Sequence, residues 1–150
     1  MDMDIVQRKD SDMVDTNTNA GKLAEERLRH DEIVWLTTVS PKGQPQSVPV
    51  WFYWDGETVL IYSQPNQAKI RNIQQNPRVA LNFNSDPQGG HVVRMEGRAE
   101  IDESVGLATD VPAMIEKYRE GITRIGSKPE DFAQGYSVAI RVTPTKVTGF

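Results

Sequence analysis

The chain contains no cysteine, which excludes disulfides, thiolate nucleophiles and thiolate-bound metals. Histidine is nearly absent too: only His30 and His91 occur. Their separation supports neither an imidazole-rich metal centre nor a Ser-His-Asp triad. No apolar run approaches the ~20 residues that cross a bilayer, so no membrane partner is expected. Neither a Walker loop nor a GxGxxG turn is present. Basic residues (17) are outnumbered by acidic ones (21) and interspersed with them, for a net charge of −4. Without a basic arm or stripe, nucleic acid is not an expected partner. The lack of cysteine fits a reducing compartment, and the aspartate-rich start has no apolar signal core. A cytoplasmic location is the expectation.

A chain of 150 residues suits one compact domain. Residues 1–19, MDMDIVQRKDSDMVDTNTN, are polar and low in apolar content, and read as a disordered N-terminal tail. Residues 20–150 read as the folded domain. It opens with a short helix in KLAEERLRHDEI, where Leu23, Arg27 and Leu28 recur at helical spacing. VWLTTV (34–39) is a strand and SPKGQP a turn. QSVPVWFYW then reads as one strand, with Val48, Val50, Phe52 and Trp54 on one face and Pro49, Trp51 and Tyr53 on the other. Asp55-Gly56 is a hairpin turn, after which ETVLIYS returns antiparallel.

A short helix follows, then the strands RVALNFN and HVVRMEGRAEI, one or two helices over 103–134 broken at Gly121 and Gly126, and the closing strand YSVAIRVTPTKVTGF. This makes a mainly β protein of about six strands joined mostly by hairpins. Helices are inserted rather than interleaved, so a doubly wound sheet is a poor fit. A closed or nearly closed antiparallel barrel is expected. Trp51 and Tyr53 then need cover from a local helix, a ligand or a second subunit. In the strand VRMEGRAEI, Arg94 and Glu96 share a face and a cross-strand ion pair is expected there. Gly97 marks a bulge or a close backbone approach.

The stretch SQPNQAKIRN (63–72) carries the most chemistry. Asn66 reads as the N-cap of a helix in which Lys69 is the third residue, while Ile70 and Ile73 turn to the core. First-turn N–H groups and the dipole favour an anion and oppose a cation. A phosphate would reconcile them, held by the helix end, Lys69, Arg71 and the Ser63 hydroxyl. A solvated first-turn lysine is the plainer alternative.

These segments, in this order, resemble the flavin reductase-like split barrels of the pyridoxamine 5′-phosphate oxidase family. Within it they look most like the branch that uses the deazaflavin coenzyme F420. The segments are WLTTVSPKGQPQSVPVWFYWDG, IYSQPNQAKIRNIQQNPRVALNF, VVRMEGRAEI and the closing strand, from about Leu23 to Phe150. The resemblance implies a six-stranded antiparallel split β-barrel with short flanking helices, forming a homodimer with cofactor sites at the subunit seam. It implies phosphate contacts at Ser63 and Lys69, with Gln67, Arg71 and Asn72 nearby. It also implies a ring lying along Val48, Pro49, Val50 and Trp51. The implied activity is hydride transfer from reduced F420 to an electron-poor small-molecule acceptor, with no catalytic side chain and no metal. FMN as the cofactor of an oxidoreductase, or a non-catalytic F420 carrier, are the alternatives. The oxidases' C-terminal Arg-x-His element is missing, since the chain ends TPTKVTGF, so pyridoxamine phosphate oxidation itself is not implied.

Overall fold

The structure, a computed structural model, describes residues 14–150. Residues 1–13 of the expected tail lie outside the described residues. Helix α1, Asn19–His30, starts where the Thr18 hydroxyl accepts the Gly21 N–H at 2.9 Å, a side-chain N-cap. Ala24 and Leu28 carry its buried stripe.

Seven strands follow: β1 Val34–Val39, β2 Pro45–Val50, β3 Tyr53–Trp54, β4 Val59–Ser63, β5 Arg78–Asn82, β6 Val93–Ile101 and β7 Val138–Gly149. They form one antiparallel sheet in the order β2-β1-β5-β6-β7-β4-β3. Between β4 and β5 lies α2, Ala68–Gln75. Between β6 and β7 lie a 3₁₀ turn at Ala108–Asp110 and the helices α3 Pro112–Lys117, α4 Arg119–Arg124 and α5 Pro129–Gly135.

Two expectations change here. Among the described residues the sheet has seven strands rather than six, and helical residues nearly match strand residues in number, so the fold is a curved half-barrel with flanking helices rather than a closed, mainly β barrel. The extra strand arises because QSVPVWFYW is interrupted at Trp51-Phe52. β2 and β3 are the two edges of the sheet, yet only those two residues connect them. Three virtual bonds reach about 11 Å at most. The sheet must therefore curl until its edges almost meet, and they stay unpaired at the split.

What holds the split is a set of contacts from the inserted helices. Phe52 is fully buried and its backbone has no strand partner. Its N–H donates to the Tyr118 hydroxyl at 2.9 Å. That hydroxyl lies 2.7 Å from the Glu32 carbonyl and 2.9 Å from the Phe52 carbonyl. Lys117 Nζ donates to the same Phe52 carbonyl at 2.9 Å and sits 3.6 Å from the centre of the Phe52 ring. Burial lowers the Lys117 pKa to about 8.

Of the three covers open for Trp51, the structure shows the local helix. The indole stacks on Tyr118 (centroids 4.6 Å apart, planes within 7°) and packs against Phe132 at 5.5 Å. Gly121 does not interrupt a helix as expected. It lies inside α4, where a β-carbon would stand 3.1 Å from Trp51 Cη2. The break falls at Tyr118, whose side chain is committed to the barrel. Gly126 does end α4, with φ +76°.

Two apolar clusters result. One fills the half-barrel around Leu36, Phe52, Ile61, Met95 and Ile140. The other lies between β4 and the inserted helices, around Leu60, Tyr62, Met114, Tyr118 and Phe132. β4 is buried on both faces for that reason. Along β6, burial alternates residue by residue, with Arg94 and Glu96 both outward as expected. Neither side chain makes an ion pair among the described residues, so the expected cross-strand pair is absent. Gly97 sits at a register shift, and a β-carbon there would lie 2.8 Å from the Thr143 carbonyl oxygen. Both the bulge and the close approach are present.

Candidate functional site

The turn before α2 differs from the expected cap. Pro65 followed by Asn66 in the left-handed region (φ 65°) matches a type II turn, a conformation asparagine tolerates well. The N-cap position moves to Gln67, whose side chain caps no backbone N–H, and Lys69 becomes the second helical residue. Ile70 and Ile73 are buried as expected.

Lys69 is half-buried and makes no hydrogen bond or ion pair among the described residues. Desolvation lowers its pKa below the usual lysine value. It borders a recess of about 210 Å³ lined by Thr38, Gln46, Val48, Gln67, Ala68 and Lys69. One wall is the start of α2, whose first N–H groups have no intrahelical acceptor. The other is the inner face of β1 and β2, where Thr38 and Gln46 stand opposite each other. Asn72 ties the walls together. It is 3% exposed, and its Nδ2 donates to Thr38 Oγ1 at 2.9 Å and to Gln46 Oε1 at 2.8 Å.

The expected site residues therefore separate. Val48, Gln67 and Lys69 meet at the recess, and Asn72 braces it from within. Ser63 is 1% exposed, does not line the recess, and gives its hydroxyl to the Gln64 carbonyl at 2.8 Å. Arg71 is exposed and folds back onto the Asn66 carbonyl at 2.8 Å. Pro49 pairs with Trp35, whose outward side chain puts Pro49 on the sheet's outer face. Val50 packs on the main core and Trp51 beneath the inserted helices. Thr38 and Gln46 were missed. Period-two alternation from Leu36 and Val48, with the register set by the Ser40–Gln44 turn, would have placed them opposite each other.

The donor set fits a phosphate-bearing group: an unpartnered ammonium, a helix N-terminus and two amide side chains around one recess. At about 210 Å³ it is smaller than usual pockets for a whole drug-sized ligand. β2, alongside, is an edge strand whose residues from Pro45 to Pro49 are all exposed. Among the described residues no His/Asp/Glu cluster could hold a metal, and no helix is long and apolar enough to cross a membrane.

Comparison with known proteins agrees with this architecture. The sequence profile of the pyridoxamine 5′-phosphate oxidase family matches residues 21–150. The chain belongs to that family, whose fold is of the oxidoreductase type. General stress protein 26 of Bacillus subtilis (strain 168) is 29% identical over 97 residues, covering 63% of this chain and 69% of that protein. Among solved structures, an F420 reductase superposes with TM-score 0.62 at 26% identity, over 83% of this chain and 94% of its own. HutZ, the heme storage protein of Vibrio cholerae, superposes with TM-score 0.64 at 16% identity, over 88% of this chain and 95% of its own. At 16% identity the second likeness concerns fold alone.

Proposed function

We propose that this protein binds a phosphorylated flavin-type cofactor, FMN or the deazaflavin F420, and serves hydride transfer to an electron-poor small molecule. The half-buried, unpartnered Lys69 at the start of α2 carries the reading. Such a desolvated cation is costly alone and is stabilised by an oxyanion shared with the helix N–H groups. Lys69 and Gln67 would hold the phosphate. Thr38 and Gln46, oriented by Asn72, would line its other side. Val48 offers an apolar surface, 38% exposed, against which a ring could lie.

A bound flavin or deazaflavin supplies the hydride chemistry itself. The chain contributes charge at Lys69, an apolar wall at Val48 and a polar strand edge along β2. Among the described residues bordering the recess, Lys69 is the one titratable side chain; its role in this reading is to hold the phosphate, and the product takes its proton from water. The recess is small and open along β2, which favours a cofactor site completed by a second copy, as in a homodimer with the ligand at the seam. F420 is supported by the 26% identity to an F420 reductase. FMN is supported equally by the broader family, so both cofactors stand within the proposal.

Titration of the purified protein with FMN and with F420, followed by fluorescence quenching, tests it. Saturable quenching by one of them supports the reading and names the cofactor. No saturation with either overturns it. Turnover of reduced cofactor against quinones, enones and nitro compounds then separates an enzyme from a carrier.

A further inference from the structure

On the outer face of the sheet, Arg78 of β5 and Arg98 of β6 are register partners. Directly opposed side chains on neighbouring strands come within about 4.5–5.5 Å at Cβ, and like charges so placed repel. Both arginines are exposed, and neither finds an ion pair or side-chain hydrogen bond among the described residues. Arg27, Arg29, Arg119 and Arg141 each have a carboxylate partner, whereas Arg78 and Arg98 face each other across the ladder without one. The same face carries Arg94 and Lys146 against Glu96 and Glu100. It is locally basic on a protein whose net charge is −4.

The two arginines border a concavity of about 590 Å³ together with Val39, Pro45, Ala80 and Glu96. It is larger than the Lys69 recess and lies on the opposite face of β1 and β2, since Thr37 and Val39 line one and Thr38 the other. Its volume falls within the usual range for small-molecule sites. Two guanidinium forks side by side suit one planar or tetrahedral oxyanion, each offering paired N–H donors.

We propose that Arg78 and Arg98 form a second anion site, which takes the phosphate or carboxylate group of a small molecule on the outer face of the sheet. The oxyanion neutralises the cross-strand repulsion, and Val39, Pro45 and Ala80 receive the ligand's apolar part. Glu96, on the same wall, favours a ligand that carries a hydrogen-bond donor beside its anionic group.

The test uses the full chain carrying Lys69→Ala, so that the recess at α2 does not report. Inorganic phosphate is titrated against chloride at matched ionic strength, while the thermal midpoint and the arginine Nε–H resonances are followed. The expected result is a saturable rise in midpoint with two shifted resonances. Adding Arg98→Gln should raise the phosphate-free midpoint, because the repulsion is relieved, and weaken the phosphate response about tenfold or more. Arg124→Gln, at an exposed arginine on α4, should leave the response unchanged. An equal phosphate response in Arg98→Gln overturns the proposal. So does a phosphate-insensitive midpoint accompanied by loss of a dimer in Arg98→Gln, since the arginines would then serve a second copy. The outcome is independent of cofactor binding at Lys69, which the titration with FMN and F420 reads separately.

Discussion

Replacing Lys69 by alanine separates a ligand-binding lysine from a solvated one. The ammonium makes no hydrogen bond or ion pair among the described residues and is desolvated, so its loss should leave the folded state as stable as before or slightly more so. Cofactor binding should respond in the opposite direction. A hydrogen bond to a charged group is worth ~1.5–3 kcal/mol, and Lys69 is half-buried, so screening keeps the value near the middle. About 2 kcal/mol corresponds to a roughly 30-fold rise in Kd. The pH dependence has a definite sign. The free protein holds Lys69 with a lowered pKa, so as pH rises through that value the lysine loses its proton and the phosphate loses its partner. Affinity should be level below that pKa and fall above it, and Lys69→Ala should abolish the alkaline fall. Fluorescence titration of both proteins across this range, with thermal midpoints as a folding control, gives the comparison. A Kd within twofold of the parent for both FMN and F420, or an unaltered alkaline limb, refutes the reasoning.

Tyr118→Phe should leave the buried Phe52 N–H without its acceptor, at a cost of about 2 kcal/mol. The thermal midpoint should then fall by about 4–8 °C, and a change under about 1 °C would contradict the assigned hydrogen bond. Asn72→Ala removes the donor shared by Thr38 and Gln46. Urea unfolding should show a loss of about 1–2 kcal/mol, and cofactor titration a weaker complex, because one wall of the recess is freed. Gly97→Ala forces a β-carbon towards the Thr143 carbonyl at the bulge. A destabilisation of about 1–3 kcal/mol in chemical denaturation is expected, and a neutral result would mean that the bulge yields easily.

Local pattern made most of the strands legible. Alternation in VRMEGRAEI gives the in-and-out order of β6, and Asp55-Gly56 gives the turn where Asp55 Oδ1 accepts the Glu57 and Thr58 N–H groups. What the pattern could not give is the interruption of QSVPVWFYW. It depends on Tyr118 and Lys117, which meet Phe52 across more than sixty residues of chain. The same distance hid the cover over Trp51. At the recess, Lys69 follows from helix-end physics, since a cation in a first turn calls for an explanation, whereas Gln67 came only with the family resemblance. The Ser63 hydroxyl is held by the neighbouring Gln64 carbonyl at 2.8 Å, a local competition that residue spacing does not reveal. Placing Asn66 as the cap failed for a related reason. Asparagine suits both an N-cap and a left-handed turn, and Pro65 before it tips the balance to the turn.

The edge strand β2 carries proline at both position 45 and position 49. Proline is admitted to a ladder where its missing N–H would face away from the neighbour, so residues 45, 47 and 49 turn their amide side outward. Of these three, Ser47 alone has a hydrogen to offer. The free rim is thus rich in carbonyl oxygen and poor in donors, and another strand laid against it would find most of its own acceptors unmatched. The barrel's seam is thereby protected from runaway sheet extension while staying open to a ligand that brings its own N–H groups.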